Sequence, residues 1–127
     1  VHLEADQHFY RLGNGQYAFD ASKLKDAHLE CLNRAKAALA NGLDSFVLVS
    51  NTFTTWEECF PYVASAVNVG AQVCIVDMLG SYGSVHNVPD KTIRRMKQRW
   101  VPAEFIAHKA LQLGATVSIS KEHKKCA

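Results

Sequence analysis

Residues 46–79 read FVLVSNTFTTWEECFPYVASAVNVGAQVCIVDML, and this stretch decides the fold. Phe46–Val49 and Val73–Val76 are short apolar runs rich in Val and Ile, the composition of parallel strands covered on both faces. Between them, Thr55 followed three residues on by Glu58 has the form of a capping box, which opens a helix by satisfying its first free N–H groups. Trp56, Cys59, Phe60, Val63 and Val67 then recur at helical spacing, and Gly70 ends the helix. Strand, helix and strand in this order make one βαβ crossover, which is nearly always right-handed. Ligands of open parallel sheets gather at the carboxyl ends of the strands. Ser50, Asn51, Thr52, Thr54 and Thr55 therefore come first as candidates for chemistry.

Towards the N-terminus, Val1–Ala5 is apolar at alternate positions and breaks at Asp6, so it reads as a strand with Asp6 at its carboxyl end. Gln7–Phe19 reads as a loop around a Gly13-Asn14-Gly15 turn, with exposed aromatics at Phe9, Tyr10, Tyr17 and Phe19. Asp20 or Ser22 caps a helix over Ser22–Ala40, closed by Asn41-Gly42, with Leu24, Ala27, Cys31, Ala35, Ala38 and Leu39 as its core stripe.

Towards the C-terminus, Gly80–Asn87 is a Gly-rich loop, and Pro89 suits the first turn of a helix running to Trp100. That helix carries Arg94, Arg95, Lys97 and Arg99 around Ile93, Met96 and Trp100. Pro102 breaks it, a helix over Ala103–Leu113 follows, and Ala115–Ser120 is a strand. Residues 121–127 form a polar tail after a single α/β domain over 1–120. Alternation of strands and helices throughout implies a three-layer α/β fold with a mainly parallel sheet.

Composition bounds the partners loosely. Of 127 residues, 48% are apolar and 20% charged, ordinary for a globular chain, and a net charge of +2 selects no partner class. The four cysteines are scattered without a C-x-x-C pair, which favours buried thiols in a reducing compartment over disulfides. His2, His28, His108 and His123 lack ligand spacing, so no metal site is expected. No apolar run approaches the ~18 residues of a membrane span. A soluble, cytoplasmic protein without membrane contact is expected.

Each chemical candidate has a plainer alternative. Asp6 suits a general base that takes a proton from a hydroxyl, or a loop carboxylate that caps the next turn. Asn51, Thr52, Thr54 and Thr55 offer donors to an anion at a helix N-terminus, or simply cap that helix. His86 suits a phosphate donor, or is an ordinary exposed histidine. Arg94, Arg95, Lys97 and Arg99 suit a phosphate backbone, or form a solvated basic face. Trp56 and Trp100 occupy helical core positions, where packing outweighs base stacking.

Taken in order, VHLEADQHFY, YAFDASKL, AHLECLNRAKAAL, VSNTFTTWEECFPYVASA and SVHNVPDKTIRRMKQRW resemble the P-loop kinases of the polynucleotide-kinase type, including small phage and bacterial proteins of the kind called AAA family ATPases. The resemblance spans Val1 to Val101. It implies a parallel sheet between helices, ATP and Mg²⁺ as cofactors, and transfer of the γ-phosphoryl to a nucleic-acid or nucleoside 5′-hydroxyl. By the same resemblance Asp6 accepts the proton of the attacking hydroxyl, and Ser50, Asn51, Thr52 and Thr54 line the substrate side. The loop Gly80–Pro89 with His86 forms the phosphate lid, and Arg94, Arg95 and Arg99 belong to the basic helix after it.

The chain also departs from the family. The G-x-x-x-x-G-K-[ST] loop, expected ahead of Val1, is absent from these 127 residues, and with it the backbone cradle for the phosphates and the Mg²⁺ hydroxyl. Gly83-Ser84 stands where the family has an Arg-Asn pair, and Asn87 where Gly usually follows the His. Without the strand that precedes the loop, a central slot in the sheet stays open. A preceding segment, insertion of Ala115–Ser120, or a strand from a partner or second copy are three ways to fill it. A non-catalytic nucleotide- or nucleic-acid-binding or assembly module is the alternative function.

Overall fold

The computed structural model describes residues 1–42, 46–79 and 88–123, which form a mixed α/β fold with parallel strands. It divides into two compact units, Val1–Thr52 and Phe53–Ala127.

In the first unit, β1 (His2–Leu3) pairs in parallel with β2 (Leu48–Val49), His2 opposite Leu48 and Leu3 opposite Val49. Backbone bonds from Leu48 N to Val1 O at 2.9 Å and from Ser50 N to Leu3 O at 3.0 Å extend the ladder at both ends. Helix α1 (Asp6–Leu12) follows β1 directly. The expected loop over Gln7–Phe19 is therefore corrected at its start: Asp6 begins a helix, where its charge suits the positive end of the dipole, and Arg11 suits the last turn. Ala5 and Phe9, four residues apart, carry the buried face, and Phe9 is 0% exposed. The rings of Tyr17 and Phe19 fold back onto it, with centroids 5.9 and 5.1 Å away. Gly13-Asn14-Gly15 makes the reversal possible, with positive φ at Asn14 and Gly15. A Cβ at Gly13 would run into the Gln16 carbonyl.

Asp20 caps the next element through Ser22 N, as its position suggested, but the first turn (Ala21–Lys23) is 3₁₀ and α2 runs over Leu24–Asn41. Ala27, Cys31 and Ala35 are its buried stripe, whereas Leu24 is exposed. Gly42 ends α2 in the left-handed conformation. Both α1 and β1 pack against α2.

In the second unit, α3 (Trp56–Asn68) leads to β3 (Val73–Leu79). Then come α4 (Asp90–Arg99), α5 (Ala103–Gln112) and β4 (Val117–His123). The Thr55 hydroxyl accepts from Glu58 N, so the expected cap forms. β3 and β4 are parallel, with Val73 opposite Val117 and Ile75 opposite Ile119. α5 packs on both strands, and α3 on α5. Val63, Ala110 and Ala115 are the buried centre, with Trp56, Val67, Val73 and Val117 against them. β4 runs to His123, so Lys121 belongs to a strand: it bonds Glu104 at 2.6 Å and lies 3.7 Å from Asp77.

Two burial expectations fail for one reason. Strands read as covered on both faces are covered on one: Phe46 is 79% exposed, and β3 alternates half-buried with exposed positions, Met78 reaching 58%. Within each unit a strand has one neighbour and helices on one side among the described residues. Alternation is what a half-covered strand shows. Phe60 is likewise exposed, and so is Trp100 at 49%, contrary to its core position on the helix.

Candidate functional site

The first cluster lies at the carboxyl ends of β1 and β2. Parallel pairing brings the residues after both strands to one edge, and one side chain ties them together. The Asn51 carboxamide accepts the Ala5 backbone N–H at 2.7 Å and donates to the Cys31 sulfur at 3.6 Å. Asp6, the next residue after Ala5, thus stands at the same rim as Asn51. Its carboxylate accepts a hydrogen bond from the Tyr17 hydroxyl at 3.2 Å. Burial, and after it the Asp6 charge, pushes the Tyr17 phenol up to about 12. Tyr17 therefore stays protonated and donates to Asp6.

Ser50 turns to different partners. Its hydroxyl meets His2 Nε2 at 2.5 Å and Glu4 Oε2 at 3.3 Å, on the exposed side of the pair. Thr52 is exposed. Sequence reasoning missed His2, Glu4 and Tyr17. The β1 period puts His2 and Glu4 on one face, a signal that was available. Tyr17 reaches Asp6 only through the turn after α1, which no local pattern shows.

The second cluster belongs to the second unit. Thr54 is 0% exposed and is the buried polar residue of the described chain. Its hydroxyl accepts from Arg99 Nε at 2.8 Å and donates to Glu58 Oε1. Glu58 also accepts from the Thr55 hydroxyl at 3.3 Å and lies 3.9 Å from Arg99 Nε. The capping-box glutamate thus spends its carboxylate on two hydroxyls and a guanidinium. The structure brings Thr54 and Arg99 together, two residues the sequence had placed on substrate and phosphate respectively.

Along α4, Lys91, Arg94, Arg95 and Lys97 are exposed, and among the described residues none pairs with a carboxylate. α4 buries no residue. His86 and the rest of Gly80–Asn87 lie outside the described residues.

The described residues do not form a triphosphate cradle. In the described glycine turn, Gly13 N and Gly15 N are already bonded to Phe9 O and Tyr10 O, closing α1. Among the described residues no group of three His, Cys, Asp or Glu side chains converges, and no helix is long and apolar enough to cross a membrane. Cys59 is half-buried, and burial pushes its thiol up to about 11. No family model and no solved structure matches the chain.

Proposed function

We propose that this chain is a P-loop-kinase-like module whose sheet rim takes a nucleic-acid or nucleoside 5′-hydroxyl. The observation that carries this reading is the Asn51–Ala5 bond, which sets Asp6 beside the ends of two parallel strands. There Asp6 is the base for an incoming hydroxyl, with Asn51 as the group that positions its backbone. On this reading the parallel pairs are parts of a three-layer, P-loop-kinase-like architecture. Their uncovered apolar faces and unpaired edges suit an added strand, from a P-loop segment, a partner or a second copy. ATP and Mg²⁺ need a G-x-x-x-x-G-K-[ST] segment, which these 127 residues do not contain.

A second reading, a non-catalytic nucleic-acid-binding module, is favoured by the cations of α4, which pair with no carboxylate among the described residues. Arginines and lysines free of carboxylates keep their full charge for phosphate. Thermal unfolding with added ligand separates the two readings. A melting point that climbs more with a 5′-hydroxyl than with a 5′-phosphorylated oligonucleotide, the difference being lost in Asp6→Asn, supports the kinase reading. An equal rise with both, abolished by high salt, supports the binding module. No rise with either oligonucleotide contradicts both.

A further inference from the structure

The contacts of Thr54 point to a device not contained in either reading. α4 makes no substantial packing with any other described element and buries none of its residues. A strongly amphipathic helix held this loosely needs some other restraint to keep one direction. Two ties meet its C-terminal end, and both land on one residue. Arg99 Nε donates to the Thr54 hydroxyl at 2.8 Å, and Val101 N donates to the Thr54 carbonyl at 2.9 Å. The hydroxyl is wholly buried, so water cannot replace a lost partner there. Glu58, fixed at the start of α3 by its own backbone bond to Thr55, closes the group from the other side.

We propose that Thr54, Arg99 and Glu58 form a joint that fixes the direction in which α4 presents Lys91, Arg94, Arg95 and Lys97. The proposal rests on the nucleic-acid reading of α4. Arg99 is then a strut and not a phosphate ligand: its Nε is committed to Thr54, and Glu58 offsets part of its charge. Thr54 is a positioning residue that touches no ligand.

The test uses Thr54→Val, which keeps the shape and removes the hydroxyl, Thr54→Ser, which restores it, and Arg99→Lys, which keeps the charge but loses the Nε fork. Two quantities are read for each folded variant: hydrogen exchange by mass spectrometry, and the salt dependence of affinity for a single-stranded oligonucleotide. Faster exchange across residues 96–101 in Thr54→Val and Arg99→Lys, with α5 unchanged, is expected. Their salt slope should shrink by about 0.7, the loss of one phosphate contact to a single strand. Thr54→Ser should match the parent in both. A neutral, buried side chain that changes a salt slope cannot do so by touching phosphate. Unchanged exchange and slope in Thr54→Val or Arg99→Lys would overturn the joint. If Thr54→Val does not fold, Arg99→Lys decides, because that side chain is half exposed. A parent chain that binds no oligonucleotide removes the reading of α4, and the exchange pattern alone then decides whether Thr54 holds the helix.

Discussion

The Asn51 carboxamide oxygen takes the Ala5 backbone N–H at 2.7 Å, joining the ends of two strands 46 residues apart in sequence. β1 and β2 are two residues long each, so their own ladder is short. A side-chain bridge just beyond that ladder restrains the rim more than the strands alone can. Replacing Asn51 by Ala strands the Ala5 N–H in a part-buried site. The expected cost is about 1–3 kcal/mol, seen as an earlier urea midpoint at unchanged slope. Asn51→Asp keeps the acceptor and should recover part of the loss.

Tyr17 and Asp6 give a spectroscopic test of the same rim. The phenol is raised from 10.0 to about 12, first by burial and then by Asp6. An ultraviolet titration of Tyr17 should show this raised value, and Asp6→Asn should bring it down part of the way. Since folding raises this pKa, the stabilisation it reports is present below about 10 and fades as pH rises towards 12. A titration unchanged by Asp6→Asn would separate the two side chains in solution.

The ion pair of Arg11 with Glu30 at 2.6 Å, joined by His8 Nδ1 at 2.6 Å, clips α1 to α2. The Arg11 hydrogen bond, with a smaller one from His8, holds the Glu30 carboxyl below its usual range. A lowered pKa contributes stability above the unfolded value near 4.5 and loses it as pH falls through the folded value. Glu30→Gln should therefore flatten the acid limb of a pH–stability curve while leaving the alkaline limb alone.

Phe9 anchors the first unit. Phe9→Ala should cost about 3–5 kcal/mol, because the ring is sealed beneath Tyr17 and Phe19 and the site cannot collapse around a methyl. Loss of near-ultraviolet dichroism at lower denaturant is the readout.

Much of this arrangement is legible in the sequence. The Thr55 cap, the Gly42 stop, the α3 and α5 helices and the parallel sense of both strand pairs follow from periodicity and turn chemistry. What periodicity could not reach was non-local. Phe9 looked exposed because its covering rings come from the far side of a glycine turn, ten residues further on in the case of Phe19. Phe46 and Val76 looked buried because apolar composition reports what a strand can bury, not whether a neighbour is there to bury it. The hydroxyl that accepts from Arg99 Nε lies 45 residues away in the chain, a partner that a run of basic residues does not reveal.

The claim on which the nucleic-acid reading turns, and the Thr54–Arg99 joint with it, is that α4 offers its cations to phosphate. The most direct measurement is the affinity for a single-stranded 5′-hydroxyl oligonucleotide across a range of salt, for the parent and for Arg94→Gln/Arg95→Gln. The account predicts a linear loss of log affinity with log salt, with the double variant's slope smaller by about 0.7 per removed contact. No binding at low salt, or a slope that the double substitution leaves unchanged, would contradict it.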